Sequence, residues 1–90
     1  MIGMYVIVAY DVEVQRIDGV RSMLRRYLNW VQNSVFEGEL TVGILEEISL
    51  NLRDLIDEER DSVIIYTISN PRWLQKRMIG VEKSEVSQIL

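Results

Sequence analysis

The stretch VIVAYDVE, Val6–Glu13, drives five apolar or aromatic residues directly into an aspartate. A short run rich in β-branched residues suits a strand covered on both faces rather than one that alternates between core and water. Extended towards its start, the run opens at Met4, so Met4–Tyr10 is expected to form a central strand. Asp11 then has two readings. Acids at strand ends cap turns by accepting backbone N–H bonds. A carboxylate at the end of a central strand also stands where phosphate-handling divalent cations are held, because Mg²⁺ takes a few carboxylate oxygens and keeps its waters.

Downstream of Asp11, the apolar positions Ile17, Val20, Leu24, Tyr27 and Leu28 follow the three-and-four spacing of a helix laying one stripe on a sheet, ending near Leu28–Asn29. Its other side carries Arg21 and Arg25 one turn apart, with Arg26 beside them. Trp30–Leu40, WVQNSVFEGEL, is β-branched and aromatic but interrupted at Asn33–Ser34 and Gly38, which leaves open one kinked strand or two. Thr41 is a fair N-cap for a second helix burying Leu45, Ile48, Leu52, Leu55 and Ile56 and ending in the charged run Asp57–Asp61. Ser62–Ile68, SVIIYTI, is the next buried-looking strand, broken by Asn70–Pro71. Met78–Val81 offers a short extended segment after the basic RWLQKR, and residues 82–90 read as a flexible tail.

The order strand, helix, extended pair, helix, strand predicts an α+β fold of ferredoxin-like βαββαβ plan, with both helices on one face of the sheet and a short extra C-terminal strand. Ninety residues close one small core, so a single domain over 1–90 with its core at about 4–81 is expected. Strands apolar on both sides need a cover for the second face. In so short a chain the simplest cover is another copy, giving a homodimer packed sheet to sheet.

Composition narrows the chemistry. There is no cysteine and no histidine, which excludes a disulfide framework, a thiolate nucleophile and the usual zinc sites; any metal is a hard cation held by oxygen. The apolar run is too short to span a bilayer and lacks signal-peptide features, so no membrane and a cytoplasmic location are expected. The net charge of −4 is unevenly spread. Basic residues number four against three acidic over 1–36, two against nine over 37–61, and three against none over 62–81. Two segments are therefore fit to meet a polyanion.

Each candidate has a plain structural alternative. Arg16, Arg21, Arg25 and Arg26 are solvated helix charge or phosphate contacts, and the same choice applies to Arg72, Lys76 and Arg77 around Trp73. Phe36 and Trp30 are core or interface residues by default, base-stacking residues otherwise. Ser34 has no histidine or nearby lysine to activate it and reads as a turn or strand hydroxyl. One Asp11 is a weak Mg²⁺ site; two brought together by a dimer axis make a better one.

MYVIVAYDV, WVQNSVFEGEL, DSVIIYTI and the closing MIGV occur together in this order. Over roughly residues 4–81 the chain resembles the second of the core CRISPR-associated proteins, the small endoribonuclease-like adaptation subunit, of an archaeal type. Residues 1–3 precede that family's usual start. The resemblance implies a ferredoxin-like homodimer whose final short strand crosses to the partner's sheet, and a Mg²⁺- or Mn²⁺-dependent endonuclease acting on RNA or DNA in spacer acquisition. Asp11 corresponds to the metal-binding, catalytic aspartate, while Tyr10, Ser34 and Phe36 match residues near the dimer cleft. Arg16 stands in for arginines that follow the aspartate in other members; with Arg21, Arg25, Arg26 and Arg77 it is expected to meet nucleic acid. Trp30 occupies the place of an arginine found in many members, so no catalytic arginine is carried over there. The implied alternative is a non-catalytic dimeric scaffold that bridges subunits of the CRISPR-associated integrase and binds duplex DNA.

Overall fold

The computed structural model describes residues 3–84. The chain runs β1 (Met4–Asp11), α1 (Val14–Arg25), β2 (Asn29–Gln32), β3 (Val35–Leu40), α2 (Val42–Leu55) and β4 (Ser62–Ile68), followed by a 3₁₀ turn at Pro71–Trp73. The strands form one sheet of order β2-β3-β1-β4 with every neighbouring pair antiparallel. This is the ferredoxin-like arrangement expected from the element order, with β1 in the interior and β4 at an edge.

The pleat sends alternate side chains of β1 to opposite faces. Val6, Val8 and Tyr10 enter the core against Val20, Met23 and Leu24 of α1 and Ile48 and Leu52 of α2. Tyr5, Ile7 and Ala9 point the other way and are half-buried, and Asp11 at the end of that row is exposed. Within one chain, then, β1 is covered on the helix side alone. Its β4 neighbours Ile64 and Tyr66 lie across from Ala9 and Ile7 on the same uncovered face and keep 51% and 55% of their surface exposed.

The helices differ from expectation in their ends. Helix α1 stops at Arg25, because the N–H groups of Tyr27 and Leu28 both return to the Leu24 carbonyl, at 3.0 and 2.8 Å, and close the chain into a turn. Leu28 remains buried beyond the helix, settled where Gly38 of β3 has no side chain; a Cβ on Gly38 would stand 3.1 Å from the Leu28 Cδ2. Helix α2 starts where its cap predicts, with the Thr41 hydroxyl accepting the Ile44 N–H at 3.3 Å. Ile48 and Leu52 are buried, and Leu45, Leu55 and Ile56 pack around them.

Trp30–Leu40 resolves into two strands joined at Asn33–Ser34. Asn33 takes φ 43°, a left-handed conformation that asparagine tolerates better than most residues, and a bulge between Trp30 and Gln32 adjusts the register. Its carbonyl accepts the indole N–H of Trp30 at 3.0 Å.

Met78–Val81 forms no strand within the chain, and Met78, Ile79 and Val81 are exposed. Gly80 takes φ 96° and bends the segment, and the edge expected for it is that of a second chain. Of the expected tail, Ser84 is buried and residues 85–90 lie outside the described residues, as do residues 1 and 2 of the N-terminal extension. No helix among the described residues is long and apolar enough to cross a membrane.

Candidate nuclease site

Asp11 closes β1 directly opposite Ser62, the first residue of β4. Both are exposed. The row that ends in Asp11 is the row on the uncovered face, so the carboxylate stands at one end of an apolar surface. Among the described residues it makes no hydrogen bond and no ion pair.

The capping role considered for Asp11 falls instead to Asp61. The Asp61 side chain is fully enclosed and accepts four donors. These are the Glu13 N–H at 2.9 Å, the Asp57 N–H at 2.9 Å, and the Arg16 guanidinium through Nε and, at 3.0 Å, through Nη2. One carboxylate thus ties the loop after β1 to the loop before β4 and satisfies two backbone donors that burial would otherwise orphan. The Arg16 bonds hold the Asp61 carboxyl well below the usual carboxylate range, against the opposing effect of burial, with the two backbone N–H groups adding to them. In return Asp61 raises the Arg16 guanidinium further above its already high value. Glu13 completes the cluster, accepting Arg16 Nη2 at 3.1 Å and facing Arg60 at 3.6 Å.

Arg16 is therefore placed differently from a phosphate-binding residue. Its fork is occupied by Asp61 and Glu13, and a phosphate contact would have to break a buried pair. Arg21 and Arg25 lie one turn apart on α1 as the spacing implies, whereas Arg26 caps the helix beside the groove that α1 shares with Asn51, Asp54 and Leu55 of α2. Arg21 and Arg25 border a shallow depression with Asp18 and Ser22, and the Arg26 guanidinium lies 5.8 Å from the Tyr27 ring centroid. Arg77 is exposed in the irregular segment after the 3₁₀ turn, away from α1 in the chain.

Tyr10, Ser34 and Phe36 do come together, on the helix side of the sheet. The Tyr10 N–H donates to the Ser34 carbonyl at 3.1 Å, and the Tyr10 and Phe36 rings stack at 6.3 Å. Phe36 has no exposed surface and Tyr10 only 6%. Consecutive residues of a strand face opposite ways, so Tyr10 enters the core where Asp11 leaves it, while Ser34 stays half-buried in the turn between β2 and β3. Truncating a wholly buried aromatic costs about 3–5 kcal/mol, a large share of a small domain's stability, which accounts for Phe36 without any ligand. Burial pushes the Tyr10 phenol up, opposed by Arg21, the Ser34 hydroxyl and Arg25.

At the far end of the uncovered face, Tyr5 sits beside Glu37, and burial together with that carboxylate pushes its phenol up to about 12. Lys76 pairs with the same Glu37, so the chain after β4 is tied back to β3. Asp61 and Ser62 are the site neighbours that the sequence reading missed. The Arg16–Asp61 pair spans 45 positions, and no local spacing announces it.

No group of three or more acidic, histidine or cysteine side chains capable of holding a metal occurs among the described residues. Asp11 offers two carboxylate oxygens facing solvent, with the Ser62 hydroxyl across from it. For an octahedral, largely hydrated Mg²⁺ this fits one contributor to a shared site and is too little for a complete one.

A four-stranded antiparallel sheet with two helices on one face and a lone strand-end acid at the rim of the other defines a small α+β protein of the ferredoxin-like class. Within that class the chain belongs to the family described as CRISPR associated protein Cas2, whose model matches residues 4–76. It is 52% identical to the CRISPR-associated endoribonuclease Cas2 2 of Archaeoglobus fulgidus, over 88% of this chain and 86% of that one. It is 47% identical to the CRISPR-associated endoribonuclease Cas2 of Methanothermobacter thermautotrophicus, over 100% of this chain and 99% of that one. A solved structure described as a crystal structure of cas2 superposes with a TM-score of 0.82 at 43% identity, covering 90% of this chain and 91% of the other.

Proposed function

We propose that the chain is a metal-dependent endonuclease that hydrolyses phosphodiester bonds of RNA or DNA in CRISPR adaptation, working in the cytoplasm as a homodimer whose two Asp11 carboxylates share a Mg²⁺ or Mn²⁺ ion. The observation that carries this reading is the state of Asp11. It is an exposed acid at the end of an interior strand, on the rim of an uncovered apolar face, with its structural duty taken over by Asp61. The name endoribonuclease borne by its close relatives supports the phosphodiester chemistry.

When bound, the ion supplies a Lewis acid for a phosphoryl oxygen and lowers the pKa of an attacking water. The chain's own residues supply the rest. Asp11 contributes anionic oxygens at a fixed strand end. The Arg16–Asp61 pair holds the loop that follows Asp11 against the start of β4, so the carboxylate is presented from a rigid frame. Arg21, Arg25, Arg26 and Arg77 offer guanidinium charge to the phosphates of a bound strand.

Asp11→Asn keeps the shape of the side chain and removes the charge that holds a divalent ion. The expected result is an unchanged melting temperature with loss of metal-dependent cleavage of labelled RNA and DNA. Cleavage that persists in highly purified variant, or a large drop in melting temperature, would overturn the assignment.

A second reading draws on the half-exposed Ile64 and Tyr66 and their apolar neighbours. An uncovered sheet face of this kind serves a structural dimer that bridges integrase subunits and guides duplex DNA along α1. That reading expects Asp11→Asn to retain integrase binding and spacer acquisition in full.

A further inference from the structure

Trp73 leaves 73% of its surface exposed, an unusual place for the largest apolar side chain, and the backbone beneath it is fixed. Pro71 restricts its own φ, the Asn70 side chain accepts the Arg72 N–H at 3.0 Å, and the Asn70 carbonyl accepts the Trp73 N–H at 2.9 Å. The Leu74 N–H closes the turn on the Pro71 carbonyl at 3.1 Å, and two residues on the Lys76–Glu37 pair anchors the segment to β3. The indole is thus presented from an ordered turn, which lowers the entropy lost when something lies on it.

The sequence around Trp73 is cationic. From Ser62 to Val81 the sequence holds Arg72, Lys76 and Arg77 and no acid. Arg72 and Arg77 are exposed, and neither meets a carboxylate among the described residues. An exposed aromatic face with exposed guanidinium groups nearby in the chain has the chemistry that holds single strands: the ring stacks on a base, and the cations meet the phosphates on either side. A paired duplex keeps its base faces stacked and offers only phosphates.

We propose that Trp73, with Arg72 and Arg77, is a stacking platform for an unpaired nucleotide of single-stranded nucleic acid. It rests on the reading of the chain as a nucleic-acid enzyme and names the form of substrate it grips. The platform follows the end of β4 away from Asp11. The six residue steps of that strand span roughly 20 Å, so Trp73 binds and does not touch the reacting atoms.

The test uses Trp30→Phe, which leaves Trp73 as the sole tryptophan, titrated with octauridylate and with a relaxed, covalently closed double-stranded DNA circle, which has neither ends nor unpaired loops. The single strand is expected to quench Trp73 fluorescence and the closed circle to leave it unchanged. In the parent chain, Trp73→Ala should weaken octauridylate binding by about tenfold, as loss of one stacked base does, while Trp73→Phe retains most of it and affinity for the closed circle stays constant. Asp11→Asn should quench like the parent, so a failure of the cleavage assignment leaves this result standing. Equal quenching by the closed circle, or unchanged octauridylate affinity in Trp73→Ala, would overturn the platform. So would a shift of Trp73→Ala to a smaller species in sedimentation, which would mean a second copy covers the ring.

Discussion

Two aspartates at the same end of the sheet divide the work that one residue was expected to choose between. Asp61 lies inside with four donors on its carboxylate; Asp11 lies outside with none among the described residues. The difference makes a pH prediction. The Asp61 carboxyl titrates well below the usual range when folded and near 3.9 when unfolded. A depressed folded pKa stabilises the fold above the unfolded value, and that contribution is lost progressively as pH falls from about 4 towards the folded value. Asp61→Asn should therefore melt at a lower temperature than the parent at pH 7, with the gap narrowing below about pH 4 in a pH series of thermal melts. A constant gap down to pH 2 would show that the carboxylate charge is not what Arg16 and the backbone donors use.

At the scale of elements, α1 shows how one helix serves two surfaces. Its inner stripe of Val20, Met23 and Leu24 is buried, and its outer side presents Arg21 and Arg25 beside a shallow depression. Alanine is a strong helix former, so the double change Arg21→Ala, Arg25→Ala should leave α1 intact. If these side chains meet phosphates, duplex affinity falls, and the slope of log affinity against log salt flattens by about one for each contact removed. An unchanged slope would assign both arginines to solvated surface. Arg16, on the first turn of the same helix, belongs to a different class, because its charge is already matched inside the fold.

The whole molecule has one covered and one uncovered sheet face, and the uncovered one joins Tyr5, Ile7 and Ala9 to Ile64 and Tyr66. Such a face is energetically better served by a second copy than by water. The expected outcome is a dimer in light scattering across a dilution series, and a monomer at micromolar concentration would contradict it. Truncation after Lys76 removes the exposed Ile79 and Val81 and should loosen the dimer if those residues add a strand to the partner's edge; an unchanged dimer with unchanged melting would reject that role.

Much of this architecture was legible in the chain because it rests on local chemistry. The β-branched run before Asp11, the apolar stripe through Val20 and Leu24, and the Thr41 cap each announce their element through nearest neighbours and short periods. Family membership was legible for a similar reason, since short motifs in a fixed order carry it. Three things required the tertiary structure. Whether Trp30–Leu40 is one strand or two depended on the left-handed Asn33 and on pairing with β1. Tyr10 entered the core while Asp11 left it because pleat and register, not residue type, decide which face a side chain meets. Asp61 and Arg16, 45 positions apart, became a buried pair because folding brought two loops together at the ends of adjacent strands. Sequence thus determined the elements and the family through interactions between near neighbours. The division of labour between Asp11 and Asp61 was decided by contacts between distant segments, which exist only once the sheet has closed.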